Sequence, residues 1–166
     1  MVIDLKKYFV SDGLSETVEY SLDLSAEKLN EVAPFQAPIA VRASFQGFSG
    51  SVLMKAECTC TVTMPCDRCF EETTQVWEKH FSHVLVRELN EEEDDDSYIL
   101  VPGERLDLDE LLYSDIMLEM PSKFLCSPDC KGLCPQCGKN LNKGECCCEK
   151  TQVDPRLEQL KQLLEE

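Results

Sequence analysis

From Thr17 to Met64 the chain alternates apolar and polar residues with a period of two, the pattern of strands buried on one face. In the first stretch Val18, Tyr20, Leu22 and Leu24 share a face; in the second Ile39, Val41, Ala43 and Phe45 do. The third is the longest. Val52, Met54, Ala56, Cys58, Cys60, Val62 and Met64 point one way, and Leu53, Lys55, Glu57, Thr59, Thr61 and Thr63 the other. At ~3.3 Å per residue, such a strand is expected to bend or bulge in a domain of this size. Gly47 to Gly50 supplies the turn before it, Pro65 ends it, and Cys66-Asp67-Arg68-Cys69 makes the corner to a strand from about Thr73 to Val86. Ahead of these strands, Ile3, Leu5, Tyr8 and Phe9 predict a short amphipathic turn. Ser25 to Val32 predicts a helical turn capped by Ser25 and broken by Pro34 and Pro38.

The period then changes. After a short apolar piece, Tyr98 to Val101, and a Pro102-Gly103 turn, Leu108, Leu111, Leu112, Ile116 and Met120 recur at helical spacing. Asp107 is the N-cap, Glu110 completes a capping-box pattern, and Pro121 stops the helix, which is predicted over about 107–120 with its stripe on the sheet. At the far end Asp154 and Pro155 open a short C-terminal helix with Leu157, Leu160, Leu163 and Leu164 on one face. The expected fold is α+β: an antiparallel, mostly-β core (a bent sheet or partial barrel) with one packed helix over 1–121. A cysteine-rich segment and the short helix follow over 122–166.

That segment changes the picture most. Cys126 to Cys148 holds seven of the chain's eleven cysteines among prolines, glycines and asparagines, with little to build a core. Ordering it without burial leaves conformational entropy uncompensated, so a covalent or coordinate staple is required. Cys134-Pro135-Gln136-Cys137-Gly138 places two thiolates on one tight turn, and Cys146 with Cys148 completes a tetrahedral zinc knuckle. Cys147, between them in an extended stretch, points away. Cys58 and Cys60 lie in the unbroken apolar row and read as small core residues. Of the rest, Cys66 and Cys69 at the corner, with Cys126 and Cys130, are enough for a second four-thiolate site. His80 and His83, three apart in a strand, face opposite sides and are not ligands in this reading.

Disulfides are the competing explanation, and they need an oxidising compartment. The stretch MVIDLKKYFV shows no secretory h-region, and no run of about 18 apolar residues marks a membrane span, so a cytoplasmic location with reduced thiols is expected. Thiol-redox use of Cys134 and Cys137 stays open as an alternative, although no strand in a βαβ unit precedes them. The formal charge of −16 disfavours a phosphate-dominated nucleic-acid footprint. Glu91 to Asp96 is a solvated acidic run or a dock for a basic protein. Lys123, Lys131, Lys139 and Lys143 around the knuckle are the concentrated positive charge.

Taken together, Cys66-x2-Cys69 between strands, the helix ending Leu118-Glu119-Met120-Pro121, the run from Cys130-Lys131-Gly132-Leu133-Cys134-Pro135 through Asn142, and the closing Asp154-Pro155-Arg156-Leu157 resemble the DUF177 family, also called YceD. The resemblance covers nearly the whole chain. It implies a non-enzymatic factor for accumulation of large-subunit ribosomal RNA, acting by binding a ribosomal protein or precursor RNA, with no small-molecule substrate and no membrane partner. A zinc-ribbon adaptor outside the ribosome is the alternative.

Overall fold

The protein is described here from a computed structural model, over residues 1–88 and 98–148. The acidic run and the expected C-terminal helix lie outside the described residues. In chain order the elements are β1 (Val2–Asp4), α1 (Lys6–Val10), β2 (Ser15–Leu22), β3 (Ile39–Phe48), β4 (Ser51–Pro65), β5 (Glu72–Val86), β6 (Tyr98–Leu100), β7 (Arg105–Asp107) and α2 (Leu108–Leu118). A five-stranded sheet runs β2-β3-β4-β5-β6, and β1 pairs with β7 in a two-stranded sheet. The sheet does not close into a barrel.

The period-two rows become the inner face. Every even residue from Val52 to Met64 is buried, including Cys58 at 2% and Cys60 at 7% exposure, and Val41, Ala43 and Phe45 face them across β3. The long strand carries no bulge. Its register to β5 runs unbroken from Val52↔Leu85 to Pro65↔Glu72, and to β3 from Ala40↔Thr59 to Phe48↔Ser51. The register to β5 inserts no extra residue on either strand over its whole length, so there is no bulge.

Two helices close the core. Leu5 and, from α1, Tyr8 and Phe9 are buried, with the Tyr8 ring 5.9 Å from that of Phe45. Gly47 sits inside β3, not in the turn. A Cβ there would lie 2.2 Å from the Tyr8 carbonyl oxygen, so glycine is what lets α1 seat on the sheet. The turn itself is Ser49-Gly50, both with positive φ, the geometry of a two-residue hairpin. Leu108, Leu112 and Ile116 of α2 are buried as the stripe implied, and the Asp107 carboxylate accepts from the Asp109 and Glu110 N–H groups.

One local expectation fails. Ser25 to Val32 forms no helical turn. Asp23, not Ser25, caps the local backbone through Ser25 N–H at 2.9 Å, and Leu29 and Val32 bridge across Asn30 and Glu31, both at positive φ. The segment is too short, and too close to Pro34, to nucleate a helix. The sheet is antiparallel as expected through β2-β3-β4-β5, and only the short edge strand β6 pairs in parallel, with the last three residues of β5.

Candidate metal centres

Strands β4 and β5 end together, and the corner between them is a tight turn. The Phe70 N–H bonds the Cys66 carbonyl at 2.8 Å, which brings Cys66 and Cys69 side by side. The segment after α2 docks on this corner. Asp67 N–H donates to the Phe124 carbonyl, and Phe124 N–H returns to the Asp67 carboxylate at 2.7 Å. Phe124 is buried in the main core and stacks on Trp77, centroids 6.3 Å apart and planes 7° from parallel. The Arg68 guanidinium donates to the Cys130 carbonyl at 2.9 Å and its own carbonyl accepts from Leu133 N–H at 3.0 Å. Gly132 passes so close that a Cβ would stand 2.9 Å from the Arg68 oxygen.

These bonds gather Cys66, Cys69, Cys126 and Cys130, whose sulfurs all lie within 4.8 Å of one another. Cys66 Sγ is 3.8 Å from Cys130 Sγ, and Cys69 Sγ is 3.6 Å from Cys126 Sγ. A disulfide needs about 2.05 Å, so these are separate thiols. Four ligands at a metal–sulfur distance of ~2.3 Å in a tetrahedron stand about 3.8 Å apart, and the cluster fits that edge length.

The second group forms on the next turn. Gly138 N–H bonds the Cys134 carbonyl and Cys134 N–H the Lys139 carbonyl, both at 2.8 Å, while Leu133 bridges to Asn140. Gly138, at φ 71, occupies the left-handed position that follows the cysteine pair. Cys134, Cys137, Cys146 and Cys148 converge with sulfurs within 4.8 Å of one another, and Cys147 is exposed and outside the group. Each group can hold a metal ion.

The thiols compete for protons. Backbone N–H groups of Cys137 and Gln136 lower Cys134 to about 6, whereas the Cys137 thiol beside Cys148 pushes that residue up to about 12. In the first group burial raises Cys66, but N–H groups of Cys126, Arg68 and Cys69 outweigh it and bring the thiol to about 6. Its neighbour Cys126 is driven up to about 12 by Cys130 and Cys69. Four sulfurs this close cannot all carry charge unless a cation balances them, and a bound divalent ion removes the conflict.

Sequence reasoning missed the polar groups that orient these ligands. The Asn142 side chain reaches back from the second turn to Cys130 of the first group, and its only sequence signal was position beside the cysteines. Two of the four lysines are exposed but engaged: Lys143 pairs with Glu71, and Lys139 Nζ donates to the Glu145 carbonyl at 2.6 Å. His83 Nε2 meets Asp115 at 2.8 Å, whereas His80 stands on the opposite face near Glu57.

A family model described as large ribosomal RNA subunit accumulation protein YceD matches residues 54–164. An uncharacterized protein of Mycobacterium tuberculosis is 37% identical over 75 residues, 45% of this chain and 36% of the relative, so the match spans about a third of that protein's length. The uncharacterized protein YlbN of Bacillus subtilis is 27% identical over 152 residues, covering 91% of this chain and 87% of the relative. A chloroplastic homologue of the YCED large ribosomal RNA subunit accumulation protein from Arabidopsis thaliana is 29% identical over 122 residues, 56% of this chain and 38% of the relative. No solved structure matches the chain.

Proposed function

Because the chain belongs to the YceD family of large ribosomal RNA subunit accumulation proteins, we propose that it is a non-enzymatic factor in large-subunit biogenesis whose two cysteine groups each hold a structural zinc. It acts in the cytoplasm by binding a ribosomal protein or precursor RNA. The observation that carries this reading is the pair of four-sulfur groups, one joining the β4–β5 corner to the segment after α2 and one within that segment. An all-thiolate tetrahedral site leaves no open position for substrate or water, so its contribution is rigidity. In this reading the chain divides near residue 121. The sheet domain keeps its own core, and of the following segment 122–166 the described residues 122–148 form a metal-held surface clasped to the corner of the β4–β5 hairpin.

The net charge favours recruitment by a basic ribosomal protein, with the acidic run 91–96 steering the encounter. The test is sedimentation of tagged protein with large-subunit precursors, followed by pull-down at low and moderate salt with and without nuclease. Neutralising Glu91 to Asp96 is expected to lower recovery of ribosomal protein most at low salt. Absence from precursor fractions would reject the ribosomal role and favour an adaptor elsewhere. Loss of recovery only when Lys131, Lys139 and Lys143 become Glu, together with loss on nuclease treatment, would make RNA the leading partner.

A further inference from the structure

Strand β2 borders the five-stranded sheet, and among the described residues no strand lies beyond it. Two bonds set the phase of its ladder. Gly13 N–H donates to the Gly47 carbonyl at 2.9 Å, and Gly47 N–H to the Leu14 carbonyl at 3.0 Å. In an antiparallel pair alternate residues face the neighbouring strand. Glu16, Val18, Tyr20 and Leu22 therefore bond to β3, whereas Ser15, Thr17, Glu19 and Ser21 turn their N–H and C=O groups outward. Those outward groups have no partner among the described residues, and all four residues are exposed.

Such an edge is a template for a further strand, and proteins that keep it free shorten it, bulge it or line it with free charge. β2 does none of these over its eight residues. Its register runs unbroken from Ser15↔Gln46 to Leu22↔Ile39. Its two carboxylates are already engaged, Glu19 by Arg42 at 3.3 Å, and Glu16 by Lys7 and by Tyr8 Oη at 2.9 Å. The outer side of β5 is open too from Glu72 to His83 among the described residues, but it carries Glu78, Lys79 and His80 in succession.

A groove follows each face of the β2 edge. On the inner face, between β2 and the β1–α1 segment, lies a groove of about 740 Å³ lined by Val2, Ile3, Val10 and Val18. Val2 and Val10 are 59% and 74% exposed. The charges of this groove balance, Lys6 and Lys7 against Asp4 and Glu16, so it suits an uncharged side chain. On the outer face a hollow of about 480 Å³ lies over Glu19, Ser21, Arg42, Glu57 and Thr59. A strand laid against β2 sends alternate side chains to opposite faces, one set towards each groove.

We propose that β2 is a docking edge for an extended segment of a basic protein, which joins the sheet as a further strand and seats an apolar side chain in the groove lined by Val10 and Val18. This rests on the protein-binding form of the reading above and names the contact within it. Backbone donors and acceptors at strand spacing select a polypeptide, because neither a nucleic acid nor a lipid offers the matching ladder. The net charge of −16 selects a basic segment and opposes a second copy of this chain.

The experiment titrates the full chain, purified with zinc present, with a fluorescently labelled peptide of alternating valine and lysine at moderate salt. Thr17→Pro removes an outward N–H and leaves the bonds to β3 in place, a position where a sheet tolerates proline. It is expected to weaken binding by about ten-fold or more while the thermal midpoint stays close to wild type. Val10→Glu, at an exposed site outside the ladder, is expected to weaken binding without touching the backbone of β2. Of two peptides N-methylated on every valine or on every lysine, one alone is expected to lose binding, since a strand bonds through one edge. A valine–glutamate peptide is expected to bind weakly. Unchanged affinity in both variants, indifference to N-methylation, or equal binding of the glutamate peptide would each overturn the proposal. So would a wild-type dimer that Thr17→Pro dissolves, which makes a second copy the occupant, or an RNA oligonucleotide whose binding Thr17→Pro abolishes. Sedimentation with large-subunit precursors stands apart. If wild type is absent from those fractions while peptide binding follows position 17, the edge stands and the ribosomal reading falls; if it sediments there and the peptide test fails, the edge falls alone.

Discussion

Asn142 donates through Nδ2 to the sulfur of Cys130 at 3.2 Å while its Oδ1 accepts from Lys131 N–H at 2.8 Å. One side chain from the second cysteine turn thereby orients a ligand of the first, and it is the leading cause of the lowered Cys130 thiol. Partners of this kind commonly alter metal affinity by about 10–100-fold. Asn142→Ala is expected to weaken retention of one metal against a chelator by that order. Asn142→Asp, which adds a like charge beside thiolates, is expected to be worse. Equal retention by all three proteins would sink the assignment.

The two groups should fail differently. Elemental analysis is expected to give two zinc ions per chain. Cys137→Ser should lose one and loosen the second turn, with the sheet's circular dichroism intact. Cys66→Ser should also lose one, but it unfastens the corner on which Phe124 stacks with Trp77, so the Trp77 emission should shift as well. A ratio near one ion per chain that persists in Cys66→Ser rules out the first centre.

Chelator-treated protein should show a maximum of stability in pH. Cys66 and Cys134 are lowered to about 6 from an ordinary value near 9. A depressed acid favours the fold above the unfolded value, and that contribution disappears as pH falls through about 6. Cys126 and Cys148 are raised to about 12, which favours the fold at low pH and is lost as the unfolded thiols ionise above about 9. The thermal midpoint should therefore climb from about pH 6 towards 9 and decline beyond it. A midpoint that only falls over that first interval contradicts the proton assignment.

Gly132 and Gly138 both have positive φ, but only Gly132 is pressed against backbone. Gly138→Ala is expected to cost about 1–2 kcal/mol, the left-handed penalty alone. Gly132→Ala should cost more, since the Arg68 carbonyl must also move. Denaturant midpoints of the two variants check the order.

What was legible followed from local periodicity and chemistry. The apolar row of β4 fixed the burial of Cys58 and Cys60, and Asp107 with its leucine stripe fixed α2, because burial on one face imposes a repeat on the sequence itself. Spacing pointed to the group of Cys134, Cys137, Cys146 and Cys148, whereas Cys66, Cys69, Cys126 and Cys130 were reached only by counting the cysteines left over. What escaped depends on long-range placement. The β6 pairing spans three residues and leaves no repeat. The Asn142–Cys130 bond joins two turns that only the fold brings together.

The first cysteine group also sets when the chain can finish folding. Cys66 and Cys130 are 64 positions apart, so an ion held between them fastens a loop containing β5, β6, β7 and α2. A cross-link of that span restricts the unfolded chain by about 4 kcal/mol in the loop-entropy picture. Cys126 and Cys130 leave the ribosome after β2 to β6, so this restraint arrives after the sheet strands have been made. With a metal ion bound there, as proposed, metal supply would govern a stage of maturation that follows strand formation. A cell short of zinc would accumulate chains whose strands are paired but whose clasp at the end of the hairpin is open.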